Sequence, residues 1–491
     1  MIFLYLVLAA LAASAAVLLV RTARFTKAPP TVQPPTDVSD RIDAQGPADR
    51  LLALIRCKTV ADPDPTRIDR SQFEKLHALL REFYPGVHRV MEREQLNGYN
   101  LIYRWRGTDP ARRPIALLSH FDVVSAVNEA DWTYPPFEGF DDGEMIWGRG
   151  ATDMKNQLVM VLEACERLIT EGYTPKEDVY LCFGQNEEIG DVPAGTGADG
   201  LAALLAERGI RFDCVIDEGG CITDGGEYGV PGRVCIVGAA EKGYATIQLT
   251  AHSVGGHSSR PPRSTALGRV CAAAVRVERR PMKPMLIPPV EEMYRAAAPY
   301  MRPFAVRLFA ANLWLFRPLL ARYAARSDAA RAGVSTTFAV TQAEGSRRDN
   351  ILPQNPVIGV NCRVLPGQTV QQAMEHVRRV IRDPAVEVSC SYSHQVNKVS
   401  PTDTRAFALL GELVQRYYPG TVLCPYIQFG ASDARNYYRV ADNVYRIMPV
   451  YLPAALANLA HGTDERIPKK TLASGIALLM DLIREYEGER V

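Results

Sequence analysis

The chain opens with an unbroken run of nineteen uncharged, mostly apolar residues, 2–20. At about 1.5 Å per residue a helix of that length approaches the roughly 30 Å hydrocarbon core of a bilayer. Ala12, Ala13, Ser14, Ala15 and Ala16 offer small residues for signal cleavage, but no basic stretch precedes the run, so an uncleaved anchor is expected and a cleaved secretory signal is the alternative. Arg21, Arg24 and Lys27 follow, which by the positive-inside rule favours a cytoplasmic body. Extracellular and luminal enzymes carry similar short anchors, so the side is left open. Four prolines within residues 28–35 predict a stiff spacer, giving a linker over 21–40.

From about residue 40, short β-rich runs alternate with amphipathic helical stretches, which predicts an α/β layer architecture. Residues 115–119, 179–183 and 214–216 read as buried strands. Between the first two, Leu158, Val161, Leu162, Cys165, Leu168 and Ile169 recur at three- and four-residue spacing, a helix that Gly172 is placed to end. A new strand pattern begins near residue 244, and a long Arg- and Ala-rich helical stretch over 291–332 reads as a solvated elaboration of this second region. The alternation resumes after residue 400. The expected organisation is a catalytic α/β domain with a mixed sheet flanked by helices, residues 41–240 and 397–491, interrupted by an inserted α+β domain over 241–396.

Composition narrows the function classes. With 491 residues and 47% hydrophobic content the chain can fill more than one core. Lys and Arg total 56 against 55 Asp and Glu, and no basic stripe carries interleaved aromatics, so a nucleic-acid partner is not expected. The ten cysteines are scattered without a CxxC pair, which speaks against a disulfide scaffold or a zinc ribbon. Cys182 and Cys214 lie in apolar runs and are expected as buried thiols.

Metal-binding residue types follow each strand directly. Ser119 leads into His120 and Asp122, Phe183 leads to Glu187 and Glu188, and Ile216 leads to Asp217 and Glu218. In open α/β sheets, ligand sites form at the carboxyl ends of strands, so these groups can converge. Asp153 stands just before the amphipathic helix, and His461 follows an apolar segment near the C-terminus. Singly, each has a plain structural explanation: a satisfied histidine, a solvated acidic pair, a helix cap. Their joint placement at successive junctions argues against coincidence. Nitrogen and oxygen donors without thiolate suit zinc, and also cobalt or manganese.

His120-x-Asp122, Gly148-Arg149-Gly150-x-x-Asp153-x-Lys155, Glu187-Glu188, Asp217-Glu218-Gly219 and His461 together resemble the M20 metallopeptidases, in the branch of carboxypeptidase S and the N-fatty-acyl-amino-acid synthase/hydrolases. The resemblance runs from about residue 45 to the C-terminus. It implies a zinc-exopeptidase-like fold and two divalent ions bridged by Asp153, with His120 and Asp217 completing one site and Glu188 and His461 the other. Glu187 is then the general base towards a water shared by the metals, and Asp122 orients His120 through its other ring nitrogen. Within the inserted domain, Gly255-Gly256-His257-Ser258 resembles the family's lid motif, whose histidine stabilises the oxyanion. Asn350 and Arg363 resemble substrate-holding lid residues, and Ser432, in Gly430-Ala431-Ser432-Asp433, a loop on the substrate side. The resemblance implies hydrolysis of an amide that releases an amino acid from a small peptide or N-acyl amino acid. A dipeptidase or biosynthetic N-deacylase is the alternative, and a metal-free binding protein on the same scaffold is disfavoured because every ligand type is present. It also leaves open a homodimer through the lid domain, with His257 acting in cis or in trans.

Overall fold

The computed structural model describes residues 1–189, 195–394, 396–457 and 459–490. Its larger sheet has eight strands in the order Glu92–Leu96, Asn100–Trp105, Val179–Gly184, Ile115–His120, Cys214–Asp224, Val444–Tyr451, Arg233–Glu241 and Val422–Gln428. Ile115–His120 is central and runs parallel to both neighbours, Val179–Gly184 and Cys214–Asp224. Every residue of the first two is buried, as expected of parallel strands covered on both faces. The carboxyl ends of these strands therefore open on the same edge of the sheet.

The Lys155–Thr170 helix packs its apolar positions into the main core with the C-terminal Lys469–Glu485 helix. It ends where expected, since Gly172 adopts the left-handed conformation (φ +76) that glycine tolerates best. Cys182 and Cys214 are buried free thiols, and burial pushes the Cys182 thiol up to about 12.

The chain leaves the large sheet at Glu241 and builds a second, four-stranded antiparallel sheet, ordered Thr337–Glu344, Val357–Val364, Gly243–Ala251 and Val386–His394. Two helices, Ala266–Arg279 and Val370–Ile381, cover one face of it around a core of their own. At the exit from the large sheet, Arg446 (0% exposed) pairs with Glu241 (2%) at 3.0 Å. Such a buried pair adds little net stability over an apolar contact, but breaking it leaves an uncompensated charge.

Two expectations change. The N-terminal helix spans Ile2–Phe25, so 21–25 continue the helix rather than begin the linker; no proline intervenes before Pro29. The helical stretch does not elaborate the second sheet as a solvated appendage. Helices Pro288–Ala297, Phe304–Ala311 and Leu313–Ala324 bury Val290, Tyr294, Val306, Leu313 and Leu320 in one core with Val234, Val422 and Ile427 of the large sheet. The arginines occupy the outer faces, and the apolar residues between them form a core stripe.

Candidate metal centre

The three parallel strands deliver an acidic and histidine-bearing cluster. His120 Nε2 lies 3.1 Å from Asp153 Oδ1 and 3.5 Å from Glu218 Oε1. On the far side, His461 Nε2 lies 3.1 Å from Asp153 Oδ2 and 2.9 Å from Glu188 Oε2. Asp153 thus stands between the two histidines with one carboxylate oxygen turned to each. Donor atoms of His120, Asp153 and Glu188 fall within 4.8 Å of one another, and so do those of His120, Glu187 and Glu218.

Local structure aims these groups. Asp122, fully buried, accepts from the backbone N–H groups of Glu187 (3.2 Å) and Glu188 (3.0 Å), and so ties the turn carrying both glutamates to the His120 strand. His120 Nδ1 faces the backbone carbonyl of Asp122 at 3.0 Å, a contact that turns Nε2 towards the cluster, where it donates to Asp153 and can ligate a cation on giving up that proton. Asp153 precedes the Lys155–Thr170 helix, and the Asp153–Met154 peptide bond is cis. Lys155 takes no part in the cluster: its buried ammonium donates to the carbonyls of Leu54 and Cys57, and burial lowers it to about 8.

Glu465, which the sequence motifs did not single out, holds the two remote loops together. Its fully buried carboxylate accepts from Arg149 Nη1 (2.7 Å) and from the backbone N–H groups of Gly150, Thr152 and Asp153. Arg149 in turn donates to the carbonyls of His461 and Gly462. Burial raises the Glu465 pKa and Arg149 opposes it; with four donors facing two oxygens, the arrangement is built for the carboxylate form. Glu465→Gln strands Arg149 without a counter-ion, and removing one member of a buried pair costs about 3 to 5 kcal/mol. The variant is expected to show that loss in denaturant unfolding together with weaker metal retention in equilibrium dialysis. Wild-type values in both would show that the two loops are held by other contacts.

The remaining expected site residues stand as follows. Asp217 is fully buried, its Oδ2 accepts from Ala434 N at 2.7 Å and burial raises its pKa against the opposing His120 charge, while its neighbour Glu218 brings Oε1 to 3.5 Å from His120 Nε2. The strand continues to Asp224 with an irregular register between Asp217 and Gly220. At Gly219 (φ +133) a Cβ would meet Gln428 Oε1 at 2.0 Å, so the path requires glycine there. Ser432, expected on the substrate side, is fully buried, and its N–H and hydroxyl both donate to Glu241. The loop holding it serves the cluster by capping Asp217. His257 is exposed on a two-residue pairing with Ile351–Leu352, outside the cluster, and its Nδ1 accepts from Ser259 N. Asn350 accepts from Ser258 N through its backbone carbonyl, beside that pairing. Arg363 lies 4.7 Å above the Tyr244 ring, and its Nε donates to Asn361 Oδ1. Burial lowers the Arg363 pKa, and Arg435 acts in the same direction.

Arg435 was not anticipated. Burial would lower its pKa, but the charges of Glu241, Glu187 and Asp433 outweigh this and raise it. It lines a cavity of about 570 Å³ with Val396, Asn397 and Lys398. Its signal in the sequence was an arginine two positions after Asp433, in a loop already noted.

The donor set fits divalent cations. Glu188 Oε1 is buried and has no hydrogen-bond partner among the described residues. Burial raises the pKa of Glu187, Glu188 and Glu218, with neighbouring carboxylates adding to each rise. Asp153 behaves oppositely: burial would raise it, but hydrogen bonds from His120 and His461 hold it below the usual carboxylate range. Acids crowded this closely need a compensating positive charge, which metal ions supply.

Residues 116–485 match the family model described as Peptidase family M20/M25/M40. The chain belongs to the M20 peptidase family. Among M20 relatives it is 31% identical over 481 residues to a probable carboxypeptidase S-like 2 of Dictyostelium discoideum, covering 96% of this chain and 91% of the relative. It is 30% identical over 467 residues to the human N-fatty-acyl-amino acid synthase/hydrolase PM20D1, covering 92% and 91%. Among solved structures, an M20 metallo-carboxypeptidase from Sulfolobus solfataricus superposes with a TM-score of 0.64 at 14% identity, covering 89% of this chain and 98% of that one. Human carnosine dipeptidase 1 superposes with a TM-score of 0.60 at 13% identity, covering 92% and 99%. The M20 fold expected from the motifs is therefore the fold of this chain, and the protein is an enzyme of the metallopeptidase and amidohydrolase type.

Proposed function

We propose that the protein is a di-metal amidohydrolase that releases an amino acid from an N-acyl amino acid. The observation that carries this reading is the placement of Asp153 between His120 and His461, with Glu187 beside them. His120, Asp153, Glu188 and His461 would hold two divalent ions, zinc first, with a further ligand from the Asp217–Glu218 pair, where Glu218 stands nearer His120. Bound ions of this kind polarise a carbonyl and acidify water. Glu187 takes a proton at its carboxylate and returns it to the leaving amine. His257, whose Nδ1 accepts from Ser259 N, carries its proton on Nε2 and presents a donor for the carbonyl oxygen once the second sheet closes as a lid, in cis or from a second copy. Asn350 belongs to the same lid edge.

Arg363 and Arg435 are suited to a substrate carboxylate. The Arg435 charge acts to lower the Arg363 pKa, which places the two cations within reach of one another. Beside the Glu187–Glu188 turn a cavity of about 620 Å³ has a mixed lining, Ile68, Tyr99 and Ile189 together with Arg70, Glu74 and Gln185; the preference for an apolar acyl group rests instead on the likeness to the N-fatty-acyl-amino acid synthase/hydrolase. The N-terminal helix is read as an uncleaved membrane anchor. It is long and apolar enough to cross a bilayer, and its bonds to the folded body through Arg21 and Thr22 favour retention over cleavage.

The test is a panel of N-acyl amino acids, their carboxamides and dipeptides, turned over by purified, metal-loaded protein, with the released amine identified. N-acyl amino acids with long acyl chains are expected to lead, and Arg363→Ala is expected to raise KM for free carboxylates more than for carboxamides. Preference for dipeptides would favour the dipeptidase alternative, and an equal effect of Arg363→Ala on acids and amides would dismiss carboxylate recognition.

A further inference from the structure

We infer that the helices Phe304–Ala311 and Leu313–Ala324 dock on the face of the bilayer that the N-terminal helix enters, giving the body a second membrane contact. The inference rests on the anchor reading of Ile2–Phe25 given above. Most of that helix projects free of the body, but its base does not. Asn312 Nδ2 donates to the carbonyl of Leu18 and to Thr22 Oγ1, both at 3.3 Å, and Arg21 donates to the carbonyl of Ala311. Thr22 is buried, Phe25 packs against the helical core, and Lys27 N donates to Pro299 O. The anchor is therefore fastened to the body at the level where its sequence changes from apolar Val20 to basic Arg21. A spanning helix leaves the hydrocarbon at this level.

Within one turn of Asn312 stand Trp314, 68% exposed, and Leu315, 47% exposed; Leu319 follows on the same stripe, and Phe304 is exposed at the start of the preceding helix. The opposite faces of the two helices are already buried through Val306, Ala310, Leu313 and Leu320, so this apolar stripe is not spare core. Contiguous exposed apolar side chains mark an interaction surface. The surrounding charge selects the partner: residues 302–327 hold five arginines and no acidic residue, and Arg302, Arg322 and Arg326 are exposed. An exposed tryptophan and leucines rimmed by arginines fit the boundary between acyl chains and anionic headgroups.

The experiment uses the full chain in vesicles of phosphatidylcholine and phosphatidylglycerol, with part of the phosphatidylcholine brominated on the acyl chain near the glycerol. Trp105 and Trp132 are buried and Trp147 is partly covered, which leaves Trp314 as the tryptophan open to quenching by bromine. Vesicle-bound protein is expected to lose roughly a quarter of its tryptophan emission, the share of one among four, as an interfacial tryptophan would. The loss should vanish in Trp314→Phe. Protein that floats with the vesicles yet shows no quenching, or equal quenching in Trp314→Phe, overturns the docking while leaving the anchor in place. Shielding of Trp314 by a second copy would give that same unquenched result. Protein that does not float at all overturns the anchor reading, and the docking with it.

Discussion

Replacing Glu187 by Gln is expected to lower kcat by roughly 10² to 10⁴, the scale of a positioned acid–base group, while metal content and melting temperature stay near those of the wild type. The separation follows from how the residue is held. Its backbone N–H donates to Asp122, and that bond survives the substitution, so the turn and the neighbouring Glu188 keep their places. What changes is the carboxylate itself. Burial raises its pKa, and the charge of Glu218 raises it further, which makes the group able to accept a proton and hold it until the amine departs. A glutamine of the same shape can do neither. Turnover within a few-fold of wild type would remove Glu187 from the reaction. A parallel loss of metal would instead assign it to the ligand set, a role its closeness to His120 and Glu218 makes worth separating.

How much of this was legible beforehand follows from physical causes. The three ligand-bearing strands read clearly because parallel strands buried on both faces appear as continuous apolar runs, and polar residues directly after them announce the sheet edge. The choice between Asp217 and Glu218 was not legible. Adjacent residues in a strand face opposite ways, so the one at His120 is decided by the register shift at Asp217–Gly220, which no periodicity encodes. Glu465 escaped assignment because its partners are mainly backbone N–H groups of a distant loop, and backbone donors carry no sequence signal. The helical stretch was read as solvated because its many arginines masked the narrow stripe that meets Val422 and Ile427. Ser432 belonged to a motif whose spacing was informative, yet its hydroxyl is spent on Glu241.

Stripping the metals with a chelator is expected to abolish turnover and to lower the melting temperature, with zinc or cobalt restoring both. Two unit charges of like sign about 4 Å apart cost each other about 4 kcal/mol at an effective dielectric near 20, and the cluster brings Asp153, Glu187, Glu188 and Glu218 around only two histidines. Without cations Glu187, Glu188 and Glu218 are shifted towards keeping protons, and His120 and His461, whose pKa values the carboxylates raise, keep theirs around an ionised Asp153. A carboxyl whose folded pKa lies above its unfolded value contributes stability at low pH and loses it as pH rises through the folded value. The chelated protein should therefore become less stable on going from mildly acidic to alkaline buffer, and the metal-loaded protein should change much less. Binding to the folded state alone adds about 4 kcal/mol when free metal is roughly a thousand times its Kd, enough to separate the two melting curves. Full activity in protein shown by elemental analysis to be metal-free would end the di-metal reading. Melting curves that coincide across the pH range would show that the acidic cluster is compensated by something other than cations.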